Sequence, residues 1–244
     1  MPLMDLLTGL LRPAACLACG TPAAWPCCDA CLPVGTAGPG PWRLAADPDV
    51  AIWTLGPYQD ALRAAVLAGK LHGQPAALTE LGRRLGAALA GAGAGADLVT
   101  WVAARPAGGQ PRDHADRVAA GVAAALDVPT VRLLTPAGGA DLGAARRAGG
   151  APPARPAPRT RARLAGGRVL VVDDLVTTGG TLAGAAAALR SAGARTIEAA
   201  VLAAVPTALV TWPPPEPPTP ARGPSTQASV LATAIRYRRD PARA

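Results

Sequence analysis

The chain has no phenylalanine, and its five Trp and two Tyr make up only 3% of 244 residues. A stacking platform for single-stranded nucleic acid needs clustered aromatic faces, whereas Trp25, Trp42, Trp53, Tyr58, Trp101, Trp212 and Tyr237 are scattered. Lysine is nearly absent too: of 24 basic residues only Lys70 is not arginine. No long uninterrupted apolar run exists. The most apolar window, 85–104, is broken by glycines and Asp97, so no membrane insertion is expected. The first residues carry Asp5 early, Arg12 late and no basic start, a poor secretory leader, and the expected location is the cytoplasm. A nucleotide-binding Walker sequence is also missing, since Gly69-Lys70 has neither the upstream glycine nor a following Ser or Thr. Gly91-x-Gly93-x-x-Ala96 has the letters of a dinucleotide fingerprint. It falls between a helical pattern and a strand, the reverse of the required order.

What remains is half apolar, so the core must be built from Val, Leu, Ile and Ala. At this length the chain can bury one substantial core with room for a small accessory module. The net charge of +8 favours anionic partners. It is unevenly spread: between Leu142 and Val172 stand Arg146, Arg147, Arg155, Arg159, Arg161, Arg163 and Arg168 and no acid. Pro and Gly crowd the same stretch, which reads as a basic loop.

The most informative segment runs from Leu170 through Val171, Val172, Asp173, Asp174, Leu175, Val176, Thr177, Thr178, Gly179 and Gly180 to Thr181. An apolar run is the pattern of a buried parallel strand. Two adjacent acids at its carboxyl end stand where open α/β sheets bind ligands. The Thr/Gly turn leads into an alanine-rich helical pattern, which aims backbone N–H groups, hydroxyls and the helix dipole at an anion. Acids beside a phosphate cradle suit a phosphorylated sugar. The segment resembles the phosphoribosyl-pyrophosphate signature of type I phosphoribosyltransferases. The resemblance implies that Asp173 and Asp174 meet the ribose hydroxyls and that Thr177, Thr178, Gly179, Gly180 and Thr181 hold the 5′-phosphate. It also implies Mg²⁺ bound with phosphoribosyl pyrophosphate.

All five cysteines lie between Cys16 and Cys31, as Cys16-x2-Cys19, eight residues, then Cys28-x2-Cys31, with Cys27 left over. Two such pairs can supply four thiolates to one tetrahedral zinc. A disulfide pair requires an oxidising compartment that nothing here implies. A redox pair would follow a strand of a thioredoxin-like unit, which is missing. Structural zinc is the favoured reading, with no open position for a reactive water; Cys27 is either an alternative ligand or a free thiol.

Elsewhere the spacing predicts a helix at 3–11, a Gly/Pro linker at 35–41, and strands at 51–55, 97–103, 130–134, 168–173 and 195–204. Helices are expected at 58–70, 74–90, 112–126 and 181–192, with Arg83 and Arg84 on the outer face of the second and Gly193 ending the last. The alternation means an α/β fold with a parallel sheet flanked by helices, of the type I phosphoribosyltransferase-like kind, plus a small four-cysteine zinc module. The expected domains are 1–40 for the N-terminal helix and zinc module, 50–205 for the phosphoribosyltransferase-like domain, and 206–244 for a Pro-rich, disordered tail that carries a short terminal helix at 229–237.

A cysteine module, Tyr58 with a helix ending at Lys70-x-x-Gly73, and then the signature together resemble the ComF family, competence-associated proteins related to phosphoribosyltransferases. The resemblance implies ligand contact by Lys70. It also implies transfer of phosphoribose to a nitrogen nucleophile with release of pyrophosphate. The family's Pro-Val-Pro strand end is replaced here by Val102-Ala103-Ala104-Arg105-Pro106, where the Arg105 cation would stand to clamp the leaving group. Arg112, Asp113 and His114 stand where the family's variable hood begins. The family's Asn-containing stretch is replaced at 149–165 by Gly, Pro and Arg. Two other readings stand beside the enzyme. One is a DNA-uptake accessory protein that binds single-stranded DNA or a helicase partner. The other is a ligand sensor without turnover.

Overall fold

The computed structural model describes residues 15–22, 25–32, 42–44, 46–102, 114–136, 154–156, 164, 166–205 and 210–211. All lie in one compact unit, Met1–Pro213. The expected helix at 3–11, the linker at 35–41, Arg105, Arg112, Asp113 and most of the Arg-rich loop lie outside the described residues.

Eight strands and four helices are described. They are β1 (Trp42–Leu44), β2 (Asp47–Thr54), α1 (Asp60–Leu71), α2 (Pro75–Gly91), β3 (Leu98–Trp101), α3 (His114–Leu126), β4 (Leu134–Pro136), β5 (Ala154–Pro156), β6 (Arg168–Val176), α4 (Gly180–Ser191), β7 (Thr196–Ala204) and β8 (Val210–Thr211). The main sheet has the order β3-β6-β7-β2-β1-β8. β3, β6, β7 and β2 are parallel, and β1 and β8 join antiparallel. The sheet is therefore mixed, mostly parallel and flanked by helices, as the alternation of elements requires. β4 and β5 form a separate antiparallel pair.

Three details differ from the sequence pattern. β7, the last of the expected strands in the chain, is not at an edge of the sheet but inside it, because β2 pairs along its other side. The expected strand at 130–134 reduces to an isolated bridge from Thr130 to Val99. There the Leu133 N–H turns to the Thr100 side-chain oxygen at 3.2 Å and leaves the ladder. Val210 and Thr211, inside the segment expected as a tail, pair with β1.

Strand alternation divides the core into two layers. Leu170 and Val172 of β6 with Ala200 and Leu202 of β7 pack on the side of α1, α2 and α3, against Leu62, Val66, Leu78, Leu85, Val118 and Val122. Val169 and Val171 with Ile197, Ala199 and Val201 face the other way, against Leu182, Ala185 and Leu189 of α4. On α2 and α3 the backbones approach so closely that a Cβ on Gly121 would stand 2.0 Å from the Thr79 carbonyl oxygen, and one on Gly82 2.3 Å from that of Val118. Glycines bring these helices together so that short aliphatic side chains fill the space between them, with Trp53 the one large aromatic buried in the same layer among the described residues.

Candidate functional site

β6 does not stop at the acid pair. It continues to Val176 and keeps one register with β7 from Arg168↔Thr196 to Val176↔Ala204, with Asp174 and Leu202 left out of the paired residues. The expectation that Asp173 and Asp174 end the strand is thereby corrected: β7 stays apolar to Ala204 and keeps the ladder going. The phase of the faces changes across the acids instead. Leu175 packs on the same layer as Leu170 and Val172, and Val176 turns to the other. β7 shifts in step, with Leu202 and Ala203 both on the first layer and Ala204 against the second. Asp173 accepts the Asp174 backbone N–H at 2.8 Å. The two carboxylates thus stand half-buried at an irregularity shared by both strands, just before the loop.

Thr177 and Thr178 are exposed and Gly179 is buried. Gly179 caps α4 with φ +76°, a left-handed conformation that lets the chain turn straight from strand into helix. Its carbonyl accepts the Ala183 N–H at 2.9 Å. The N–H groups of the first turn have no acceptor within the helix. No acid stands in that first turn, so the positive end of the helix dipole is left for an anion. A Cβ on Gly179 would also lie 2.5 Å from Leu44 Cδ1. Gly179→Ala is expected to cost about 1 kcal/mol of stability from backbone strain alone. Chemical denaturation would measure this, and an unchanged midpoint would contradict it.

Lys70, in the last turn of α1, reaches this site. Its Nζ lies 2.8 Å from Asp174 Oδ2, with the two side chains 26% and 14% exposed. α1 is also anchored at its start, where the Tyr58 N–H donates to the Ala204 carbonyl at 2.7 Å. The Arg63 guanidinium sits 5.9 Å from the centre of the Tyr58 ring. The helix therefore links the end of β7 to the acid of β6. The structure brings together Lys70, Asp173, Asp174, Thr177, Thr178, Gly179, Gly180 and Thr181. Arg105 is outside the described residues, and His114 opens α3.

The four expected cysteines also converge. The sulfurs of Cys16, Cys19, Cys28 and Cys31 all lie within 4.8 Å of one another, with Cys19 and Cys28 at 3.6 Å. Tetrahedral thiolates about 2.3 Å from a zinc are spaced by about 3.8 Å, so the cluster fits such an ion. The charges are already uneven. Burial raises the Cys16 pKa, but the backbone N–H groups of Cys28, Cys19 and Ala18 outweigh it and bring Cys16 down to about 6. The Thr21 hydroxyl, 3.0 Å away, lowers Cys19. Hydrogen bonding to Cys19 and Cys28 pushes Cys31 up.

Cys27 is no part of this cluster. It is fully buried, and its Sγ faces the Ala61 carbonyl of α1 at 3.7 Å. Burial, then the neighbouring Cys16, raises its pKa to about 11. In metal-stripped but folded protein at about pH 8, iodoacetamide should label the exposed Cys19 first and spare Cys27 until unfolding. Mass spectrometry of the labelled peptides would read this, and early Cys27 labelling would sink it.

Sequence reasoning missed Arg84. Expected on the outer face of α2, it is turned inward and is 17% exposed. It donates to the Cys27 carbonyl at 2.6 Å and the Leu32 carbonyl at 3.2 Å. Helical period alone could not reveal this, because the partner comes from a distant segment.

Residues 117–212 match the family model described as the phosphoribosyl transferase domain. The matched stretch starts in α3 and contains the acid pair and the loop, and it is less than half of the chain. No curated protein matches the sequence. Among solved structures, the chain is similar to the allosteric regulatory enzyme of purine biosynthesis, at 22% identity and a TM-score of 0.40, covering 56% of this chain and 30% of that one. It is similar to the glutamine phosphoribosylpyrophosphate amidotransferase from B. subtilis at 23% identity, TM-score 0.38, covering 56% and 30%. A purine phosphoribosyltransferase from Pyrococcus horikoshii Ot3 aligns at 19% identity, TM-score 0.28, covering 60% and 74%. The chain spans under a third of the length of the first two. The segment 117–212, which carries the acid pair and the Thr/Gly turn, is thus similar to the phosphoribosyl transferase domain and lies within a mostly parallel, helix-flanked sheet.

Proposed function

We propose that the protein binds phosphoribosyl pyrophosphate with Mg²⁺ at the carboxyl end of β6. The observation that carries this reading is the acid pair near the end of β6, two residues before the Thr/Gly turn into α4, inside the matched stretch. Asp173 and Asp174 would accept hydrogen bonds from the ribose hydroxyls, and the N–H groups and hydroxyls of residues 177–181 would hold the 5′-phosphate. Mg²⁺ would be held mainly by ligand phosphates and hydroxyls, and when bound it supplies charge neutralisation of the pyrophosphate. The chemistry proposed is displacement of pyrophosphate from ribose C1 by a nitrogen nucleophile. Positioning and electrostatics would do most of the work, with Arg105 clamping the leaving group.

The cysteine cluster is proposed as a structural zinc site, closed by Cys16, Cys19, Cys28 and Cys31. The order of cysteine pairs, Tyr58, Lys70-x-x-Gly73 and signature supports placement in the ComF family. The reading keeps a cysteine module at 1–40 and a phosphoribosyltransferase-like domain at 50–205, with Val210 and Thr211 of the 206–244 segment joined to its sheet through β1. Calorimetric titration of the zinc-loaded full chain with phosphoribosyl pyrophosphate and Mg²⁺ tests the first claim. Saturable one-site binding is expected, and no heat from a folded protein would reject it. Release of pyrophosphate with an amine or base acceptor would then separate enzyme from sensor.

A second reading draws on the seven arginines without an acid between Leu142 and Val172. Single-stranded DNA bound there, in a DNA-uptake role, would show affinity falling steeply with salt. No binding at low salt would reject it.

A further inference from the structure

The cysteine segment lies along α1 and holds it at several points. The Cys27 thiol faces the Ala61 carbonyl in the first turn of α1. The Trp25 indole N–H donates to the Gln74 side-chain oxygen at 3.3 Å, just beyond the other end. Arg84 ties the carbonyls of Cys27 and Leu32 to the neighbouring α2. Cys16, Cys27 and Leu32 are buried in the same layer as Leu62, Ala65 and Val66 of α1. The segment is thus part of the wall that fixes α1.

α1 in turn carries the only lysine of the chain to Asp174. An ammonium is a compact point charge on a flexible stem, so its usefulness depends on where the backbone places the stem. A shift of α1 along the sheet would move Lys70 away from the Asp174 carboxylate that it now holds by Oδ2. Ligand binding at Asp174 and metal binding at the cysteines would then draw on the same ordered state of α1, which is the condition for thermodynamic coupling.

We propose that metal occupancy of the four-cysteine site is coupled to the sugar–phosphate site through α1, with Lys70 as the positioning residue that holds the Asp174 carboxylate. The inference rests on the reading of β6 and its loop as the phosphoribosyl-pyrophosphate site. Zinc orders residues 16–31, these brace α1, and α1 sets the Lys70–Asp174 pair. Loss of zinc loosens the brace and weakens sugar binding; bound sugar phosphate in turn retains zinc, because the coupling is reciprocal.

The test uses the full chain with the four cysteines intact. Phosphoribosyl pyrophosphate with Mg²⁺ is titrated into zinc-loaded and zinc-stripped protein, with far-ultraviolet circular dichroism confirming that both are folded. Stripping should weaken binding about tenfold, within the usual range of coupling between sites. In Lys70→Met the same stripping should change affinity less than about twofold, since the transmitting group is gone. Lys70→Arg should restore part of the effect. Arg84→Met, which cuts the tie without touching a cysteine, should weaken binding in the zinc-loaded state. Equal affinity of loaded and stripped wild type, or an undiminished penalty in Lys70→Met, would overturn the coupling.

A second readout needs no sugar phosphate. Zinc transfer to a colorimetric chelator should be faster from Lys70→Met than from wild type. If zinc-loaded wild type binds no phosphoribosyl pyrophosphate, the ligand assignment fails. The chelator rates then decide the coupling alone, and equal rates would reject it. If stripping unfolds the wild type, Arg84→Met and the chelator rates carry the same decision.

Discussion

Asparagine at both Asp173 and Asp174 is expected to abolish measurable binding of phosphoribosyl pyrophosphate while leaving the fold intact. Each carboxylate would lose charge-assisted hydrogen bonds to a ribose hydroxyl, worth about 1.5–3 kcal/mol. Together that is an affinity loss of about 10²- to 10⁴-fold. Asp174→Asn should be the more damaging single change, because it also removes the partner of Lys70, whose side chain is 26% exposed. Asp173→Asn keeps an oxygen able to accept the Asp174 N–H that Asp173 now accepts at 2.8 Å. Both acids are half-buried near the end of β6 and outside the two apolar layers. Thermal unfolding should therefore change little. Calorimetry on the double variant decides the matter: wild-type affinity in a folded protein would mean that the loop serves only as scaffold.

Gly121→Ala should give a larger loss of stability than Gly179→Ala. The added Cβ would stand 2.0 Å from the Thr79 carbonyl oxygen and 2.7 Å from the Arg83 nitrogen, both backbone atoms of α2. A side chain can rotate away from such a contact, whereas two helix backbones must separate. Separation would open the layer formed by Leu78, Leu81, Leu85, Val118 and Val122, all fully buried. Overpacking of this kind costs about 1–3 kcal/mol, and backbone contacts place it at the upper end. For a chain of this size each kcal/mol shifts the unfolding midpoint by about 2–4 °C. A fall of about 6–12 °C is expected by calorimetric scanning. Gly91→Ala is the control, since a Cβ there meets nothing within 4 Å. A similar fall in both variants would show that loss of glycine, and not helix separation, is responsible.

The elements and the candidate site differed in how far they could be read from the residues. Helix period placed α1, α2, α3 and α4 to within a few residues, because each carries its own apolar stripe and has a clear end. The turn after β6 was legible as structure because acids, threonines and glycines that are adjacent in the chain are adjacent in space, and the helical pattern after them marks where the turn ends. The cysteine pairs were legible for the same reason, since each x2 turn is local and only the meeting of the two turns is not. β1, β8 and the β4–β5 pair were missed. Short strands of two or three residues have too little pattern to declare themselves, and they exist through their partners.

The order of residues by itself determined an α/β chain with an acid-pair and Thr/Gly turn, a cysteine quartet, and a core forced to be small-aliphatic by the lack of phenylalanine. Only the tertiary structure decided that β6 runs past its acids, that Lys70 spans to Asp174, that Arg84 turns toward the cysteine segment, and that Gly121 is where two helices nearly touch. The physical reason is range. Backbone propensity and side-chain period act over a few residues and are written in the local sequence. Ion pairs, strand extension and close helix approach depend on which distant surface arrives, and that is set by packing of the whole chain.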